Sequence, residues 1–178
     1  MEELELTYLV RELPEGVLDA PRKDMLDIYL PAGAAHPTLR VRKSGERYEI
    51  TKKQPLKEGD ASHQLETTIP LTEAEFVELG TLSGKRVEKT RYIYEEDGVT
   101  YEIDVFQGPL AGLVLADVEF GSAAEKDVFD MPAWCLADVT QEVFVAGGML
   151  CGKSYADIER DLTRFAYKPL VIPAVPPI

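Results

Sequence analysis

Residues 2–10 read E-E-L-E-L-T-Y-L-V, and within this run Glu3, Glu5 and Thr7 alternate with Leu4, Leu6 and Tyr8. A period of two describes a strand whose side chains point to two different faces. The same period recurs at 25–30, 38–43, 47–53, 64–70, 86–95, 99–106 and 112–120. Turn residues separate the runs: Pro31-Ala32-Gly33, Ser44-Gly45, Glu58-Gly59-Asp60, Asp97-Gly98 and Gly108-Pro109. Ser44-Gly45 and Asp97-Gly98 are short enough for tight hairpins. Many short strands joined by hairpins predict a mainly β (α+β) chain built as an antiparallel barrel or sandwich.

Three helices interrupt the strands. Thr72 with Glu75 makes a capping box ahead of Phe76 and Leu79. Ser122 with Glu125 opens a short helix before Pro132. Ser154 with Asp157 opens another, with Ile158, Leu162 and Phe165 as its apolar stripe. Residues 1–142 are expected to form the β domain. Residues 143–178 are expected to add a helical segment and, from Pro169 to Ile178, an extended proline-rich tail.

A length of 178 residues suits one domain with a core of its own. No stretch approaches the ~20 apolar residues of a membrane span, and the acidic start M-E-E-L-E-L lacks a secretory layout. A cytoplasmic location with no membrane partner is the expectation. The net charge of −13 argues against general nucleic-acid binding, because the chain would repel a phosphate backbone. A pocket that concentrates basic groups could still hold a small polyanion. Cys135 and Cys151 match no zinc or redox spacing and read as reduced thiols.

The polar faces of the strands sort by charge. After Glu3, Glu5 and Thr7 come Arg40 and Arg42, then Glu49, Thr51 and Lys53, then Gln64, Glu66 and Thr68. Lys89 and Arg91, Glu102 and Asp104, and Asp117 and Glu119 complete the series. The alternate faces are mostly apolar: Leu39 and Val41, Ile103 and Val105, Val118 and Phe120. Polar faces usually look out to water. If the apolar faces here pack outward, the charged ones meet inside a closed barrel, where acids, bases, metal ions and a polyanion compensate one another.

In these motifs the chain resembles the triphosphate tunnel metalloenzymes of the CYTH superfamily, over roughly residues 2 to 142. That family opens with E-x-E-x-K, here E-L-E-L-T from Glu3 to Thr7. Its R-x-R is Arg40-Val41-Arg42, and its lysine-ended strand is Y-E-I-T-K-K with Lys53. V-E-K-T-R-Y supplies Lys89 and Arg91, Y-E-I-D-V-F-Q-G supplies Glu102 and Asp104, and L-A-D-V-E-F supplies Asp117 and Glu119. The resemblance implies a closed eight-stranded antiparallel barrel, or tunnel, with a few peripheral helices. It implies hydrolysis of inorganic or a small organic triphosphate with Mg²⁺ or Mn²⁺. Glu3, Glu5, Asp104, Asp117 and Glu119 would bind metal, with Glu66 and Glu102 as further candidates. Arg40, Arg42, Lys53, Lys89 and Arg91 would bind phosphates, and Glu5, Lys53 and Arg91 would serve catalysis.

Two departures stand out. Thr7 replaces the family's lysine, and Gln64 stands where relatives carry an acid beside Glu66. A non-hydrolysing nucleotide or polyphosphate binder, or an adenylate cyclase-like activity, therefore stays open as an alternative, and the oligomeric state is not legible. Gly147 to Ser154, G-G-M-L-C-G-K-S, fits the P-loop pattern, but no crossover sheet follows it. Its glycines read as a flexible joint. His36 and His63 lack partners at metal spacing, and Trp134 reads as a packing anchor. Glu49 suits a salt bridge to Arg40 or Arg42 as well as a metal. Glu95-Glu96-Asp97 reads as a solvated hairpin tip.

Overall fold

The computed structural model describes residues 2–172. Part of the expected proline-rich tail, residues 173–178, lies outside them. Nine strands form one antiparallel sheet: β1 Glu2–Val10, β2 Arg22–Leu30, β3 Leu39–Ser44, β4 Arg47–Pro55, β5 His63–Leu71, β6 Lys85–Glu96, β7 Val99–Phe106, β8 Val114–Phe120 and β9 Cys135–Asp138. Neighbours follow the order β5-β4-β3-β2-β6-β7-β8-β1-β9, and an added β5–β1 pairing closes the first eight into a barrel. The seam lies at β1. Glu2 to Leu4 pair with β5, while Tyr8 to Val10 pair with β9 on the same edge. β9 therefore covers a strand edge that β5 leaves. Its four residues carry no usable alternation, so no local pattern marks it in the sequence.

Helix starts follow their caps. Thr72 and Glu75 exchange both hydrogen bonds of a capping box ahead of α1, Glu73–Leu79. Ser122 accepts from the Glu125 amide at the start of α2, Ala123–Asp127. A short α3, Gly147–Leu150, precedes α4, Tyr155–Thr163, which Ser154 and Asp157 cap as a box. Both tight hairpins form, with Gly45 at φ 57 and with Asp97 and Gly98 at φ 52 and 79.

The apolar faces do point outward and are covered there. Tyr8, Tyr92, Tyr101, Ile103, Val105, Ala116 and Val118 pack with Trp134 and Cys135 in one cluster. Ile28 and Val41 pack under Phe76 of α1 in another. A third cluster caps one end of the barrel interior. There Leu9, Tyr29, Val87, Phe106 and Leu115 meet Val145, Leu150 and Cys151, with Ile158 and Leu162 of α4 behind them. The Gly147–Gly148 joint is thus packed rather than free. A Cβ on Gly147 would overlap the Tyr29 hydroxyl, and one on Gly148 the Pro37 carbonyl oxygen. Close approach, not phosphate binding, accounts for these glycines.

Cys135 and Cys151 are free and buried. Trp134 packs edge-on to Tyr101 and donates from Nε1 to Glu96 at 2.9 Å. Glu96 is therefore engaged, and not merely solvated as expected for the hairpin tip. Among the described residues, no helix is long and apolar enough to cross a membrane.

Candidate active site

Strand parity carries the charged faces of all eight barrel strands into one cavity of about 440 Å³. Every site residue expected from sequence lines it: Glu3, Glu5, Arg40, Arg42, Lys53, Glu66, Lys89, Arg91, Glu102, Asp104, Asp117 and Glu119. Thr7, Glu49 and Gln64 line it as well. The strand β2 adds Lys23, Asp27 and Tyr29, and the start of β4 adds Arg47. Lys23 lies ahead of the alternating run that starts at residue 25, Asp27 and Tyr29 sit within that run among apolar neighbours, and Arg47 opens the run at 47–53 beside a tight hairpin. Extending the first of these runs back to Arg22 puts Lys23, Met25, Asp27 and Tyr29 on one face, opposite Arg42 and Arg40 of β3.

The acids divide into two groups. Carboxylate oxygens of Glu3, Glu5 and Glu119 lie within 4.8 Å of one another. Antiparallel pairing places Glu5 directly across from Glu119, and Glu3 sits two residues before Glu5 on the same face. Glu3 Oε2 is buried without a hydrogen-bond partner. Burial raises the pKa of Glu5, with Glu3 and Glu119 adding to the effect against the pull of Lys53 and Arg91.

Asp104 belongs to a second group, held by bases. Its two oxygens accept from Arg91 Nε and Nη2, both at 2.6 Å, and Lys89 also donates to it. Burial alone would raise Asp104; Arg91 and Lys89 instead hold it well below the usual carboxylate range. Burial, against the pull of Asp104, brings Lys89 down to about 8. Arg91 also reaches Glu102 and, at 3.2 Å, Asp117. Asp117 accepts from the Thr7 hydroxyl at 2.8 Å. Burial, then Glu5 and Asp104, push its pKa up to about 6.

On the opposite wall, Arg42 grips Asp27 with Nε at 2.6 Å and Nη2 at 2.7 Å. Glu49, although across from Arg42 in the sheet, forms no ion pair among the described residues. Lys53 lies 2.7 Å from Glu3 and 3.4 Å from Glu66, and Arg40 lies 3.9 Å from Glu66. Arg40 donates to the Tyr29 hydroxyl at 3.4 Å, while its Nε is buried and unpartnered. His63 sits outside, beside Glu2.

Asp27 makes a test of the pairing logic. Burial would raise its pKa, but Arg42 and its hydrogen bonds hold it down at about 2. The folded value lies below the unfolded one. The pair's contribution is therefore full above pH ~4 and is lost as pH falls toward 2. Asp27→Ala strands a buried guanidinium and is expected to cost about 3–5 kcal/mol at pH 7. Urea unfolding checks this, and the gap between the two proteins should narrow below pH ~4.

Carboxylates outnumber lysines and arginines among the side chains lining the cavity, ten to seven. A polyanion entering such a cavity needs cations with it. The fit to a hard divalent ion is good: three carboxylates converge, and one buried oxygen has no partner. A closed barrel with paired acids and bases inside defines the class. The CYTH domain family profile matches residues 1–130, and the chain belongs to that family.

Among curated relatives, an inorganic triphosphatase of Nitrosomonas europaea is 38% identical over 144 residues, covering 80% of this chain and 91% of that protein. One of Acetivibrio thermocellus is 32% identical over 103 residues, covering 58% and 64%. Among solved structures, the crystal structure of the inorganic triphosphatase NE1496 superposes with a TM-score of 0.62 at 30% identity, over 85% of this chain and 95% of that one.

Proposed function

We propose that this chain is a divalent-metal-dependent triphosphate hydrolase acting inside the barrel. The observation that carries the reading is the division of the cavity. One wall offers three converging carboxylates with an unsatisfied buried oxygen, and the facing wall offers arginines and lysines. That two curated relatives are named inorganic triphosphatase supports the choice of substrate class.

Glu3, Glu5 and Glu119 would hold Mg²⁺ or Mn²⁺. A divalent cation there supplies charge neutralisation on the transferring phosphoryl group and a more acidic bound water. Arg40, with its unpartnered Nε, and Lys53 point charge-assisted donors into the cavity for phosphate oxygens. Arg91 and Lys89, already tied to Asp104, hold their donors in fixed positions, and Arg42 is locked likewise by Asp27. Such preorganisation avoids reorienting donors as charge develops on the phosphoryl group. Water is the nucleophile. Asp117, with its pKa pushed up to about 6, is the acid placed to accept its proton.

Phosphate release from inorganic triphosphate, ATP and thiamine triphosphate, each with Mg²⁺ and Mn²⁺, tests the reading. Inorganic triphosphate is expected to be turned over fastest. Clear binding of all three without phosphate release would turn the protein into a binder.

A further inference from the structure

Five of the seven lysines and arginines that line the cavity already face a carboxylate: Arg42 with Asp27, Arg91 and Lys89 with Asp104, Lys53 with Glu3, and Arg40 with Glu66. Lys23 and Arg47 do not. Neither side chain has an ion pair or side-chain hydrogen bond among the described residues. The two are neighbours by construction. Arg47 pairs with Ser44 across the β3–β4 hairpin, and Ser44 pairs with Met25, two residues along from Lys23 on the same face. The Gly45 amide donates to the Asp24 carbonyl at 2.9 Å, which ties the hairpin to β2. Lys23 also stands across from Arg91. Burial, with Arg91, Arg42 and Arg47 adding, depresses its pKa against the pull of Asp104. Among the described residues no carboxylate forms an ion pair with either cation at this end of the cavity. Glu49 on the same wall pairs with neither cation.

Resting on the triphosphate reading above, we infer that Lys23 and Arg47 form an anion subsite at the β3–β4 hairpin end, which takes a further phosphate of an inorganic polyphosphate chain whose other end lies toward Glu3, Glu5 and Glu119. A nucleoside triphosphate would set a neutral sugar and base against these two cations and gain nothing from them. A linear polyphosphate carries charge at both ends and satisfies both. The favoured substrates are thus inorganic chains, with tetrapolyphosphate gaining most.

The test uses tetrapolyphosphate, tripolyphosphate and ATP with Mg²⁺, against the native chain, Lys23→Ala/Arg47→Ala and Lys23→Arg/Arg47→Lys. Loss of one charge-assisted contact is expected to weaken tetrapolyphosphate by about tenfold per residue. The KM and calorimetric Kd for tetrapolyphosphate should therefore rise about 10–100-fold in the double alanine variant. The values for ATP should change less than about threefold, and the charge-conserving double variant should restore the native preference. Equal losses for ATP and tetrapolyphosphate, or no loss for either, overturn the subsite. Calorimetry keeps the two readings apart. If the native chain releases no phosphate but binds the polyphosphates with this charge-dependent preference, hydrolysis fails and the subsite stands.

Discussion

Replacing Glu119 by glutamine is expected to lower phosphate release from inorganic triphosphate by about 10²–10³-fold, a loss of the size that follows removal of one electrostatic group from a preorganised site. The geometry accounts for the size. Glu119 faces Glu5 across β1 and β8, and with Glu3 the three supply oxygens within 4.8 Å. An amide keeps the shape but removes one charge and one strong oxygen donor for a hard cation. Glu119 is the exposed member of the three. The substitution therefore disturbs packing little, and a fall in rate with unchanged unfolding points to the cation. Steady-state assays at rising Mg²⁺ check it: a rate that recovers at high Mg²⁺ locates the defect in cation binding.

Thr7→Lys is expected to raise turnover by at least several-fold, and up to about tenfold if the new ammonium contacts phosphate mainly in the transition state. In the native chain Thr7 spends its hydroxyl on Asp117, at 2.8 Å, and brings no charge. Asp117 is partly buried, and Arg91 reaches it only at 3.2 Å. An ammonium from position 7 would meet Asp117 and Glu5 on a wall where carboxylates are in excess. The alternative is that Lys89, next along the wall on Asp104, already supplies the missing charge. Then a second lysine crowds the site. Rates of the two proteins at saturating Mg²⁺ decide: an equal or lower rate in Thr7→Lys refutes the expected gain.

Eight of the nine strands and three of the four α-helices were legible because their signals are local. Period two marks Glu3-Leu4-Glu5, and the capping boxes mark Thr72-Glu75 and Ser154-Asp157. Charge type, sorted strand by strand, left the inversion of the barrel as one of two readings, and the resemblance of those motifs to the CYTH superfamily decided for it. What escaped lacks a local signal. Cys135 to Asp138 is four residues long and earns its place by covering the edge of β1. Asp27 sits between Leu26 and Ile28 in a run that looks like buried apolar strand. Its meaning comes from Arg42, which lies across the sheet and not nearby in sequence. For the same reason parity could bring Asp104 into the cavity but could not tell that Arg91 and Lys89 would claim its oxygens. Gly147 and Gly148 gave a motif whose cause is contact with Tyr29 and Pro37, far away in the chain.

On the proposed function, the barrel interior holds a polyanion only together with a divalent cation at Glu3, Glu5 and Glu119. Thermal unfolding of the native chain and of Glu119→Gln at pH 8, with tripolyphosphate alone, Mg²⁺ alone and both together, addresses it directly. Ligand binding to the folded state raises stability by about 2.7 kcal/mol at a hundredfold excess over Kd. The account predicts a large upward shift in the native protein only when both are present. A smaller shift is expected at pH 5, where protonation of Asp117, whose pKa is pushed up to about 6, removes negative charge beside the cation site, and little shift is expected in Glu119→Gln. An equal shift with tripolyphosphate in the presence of chelator, or a full shift in Glu119→Gln, would contradict it.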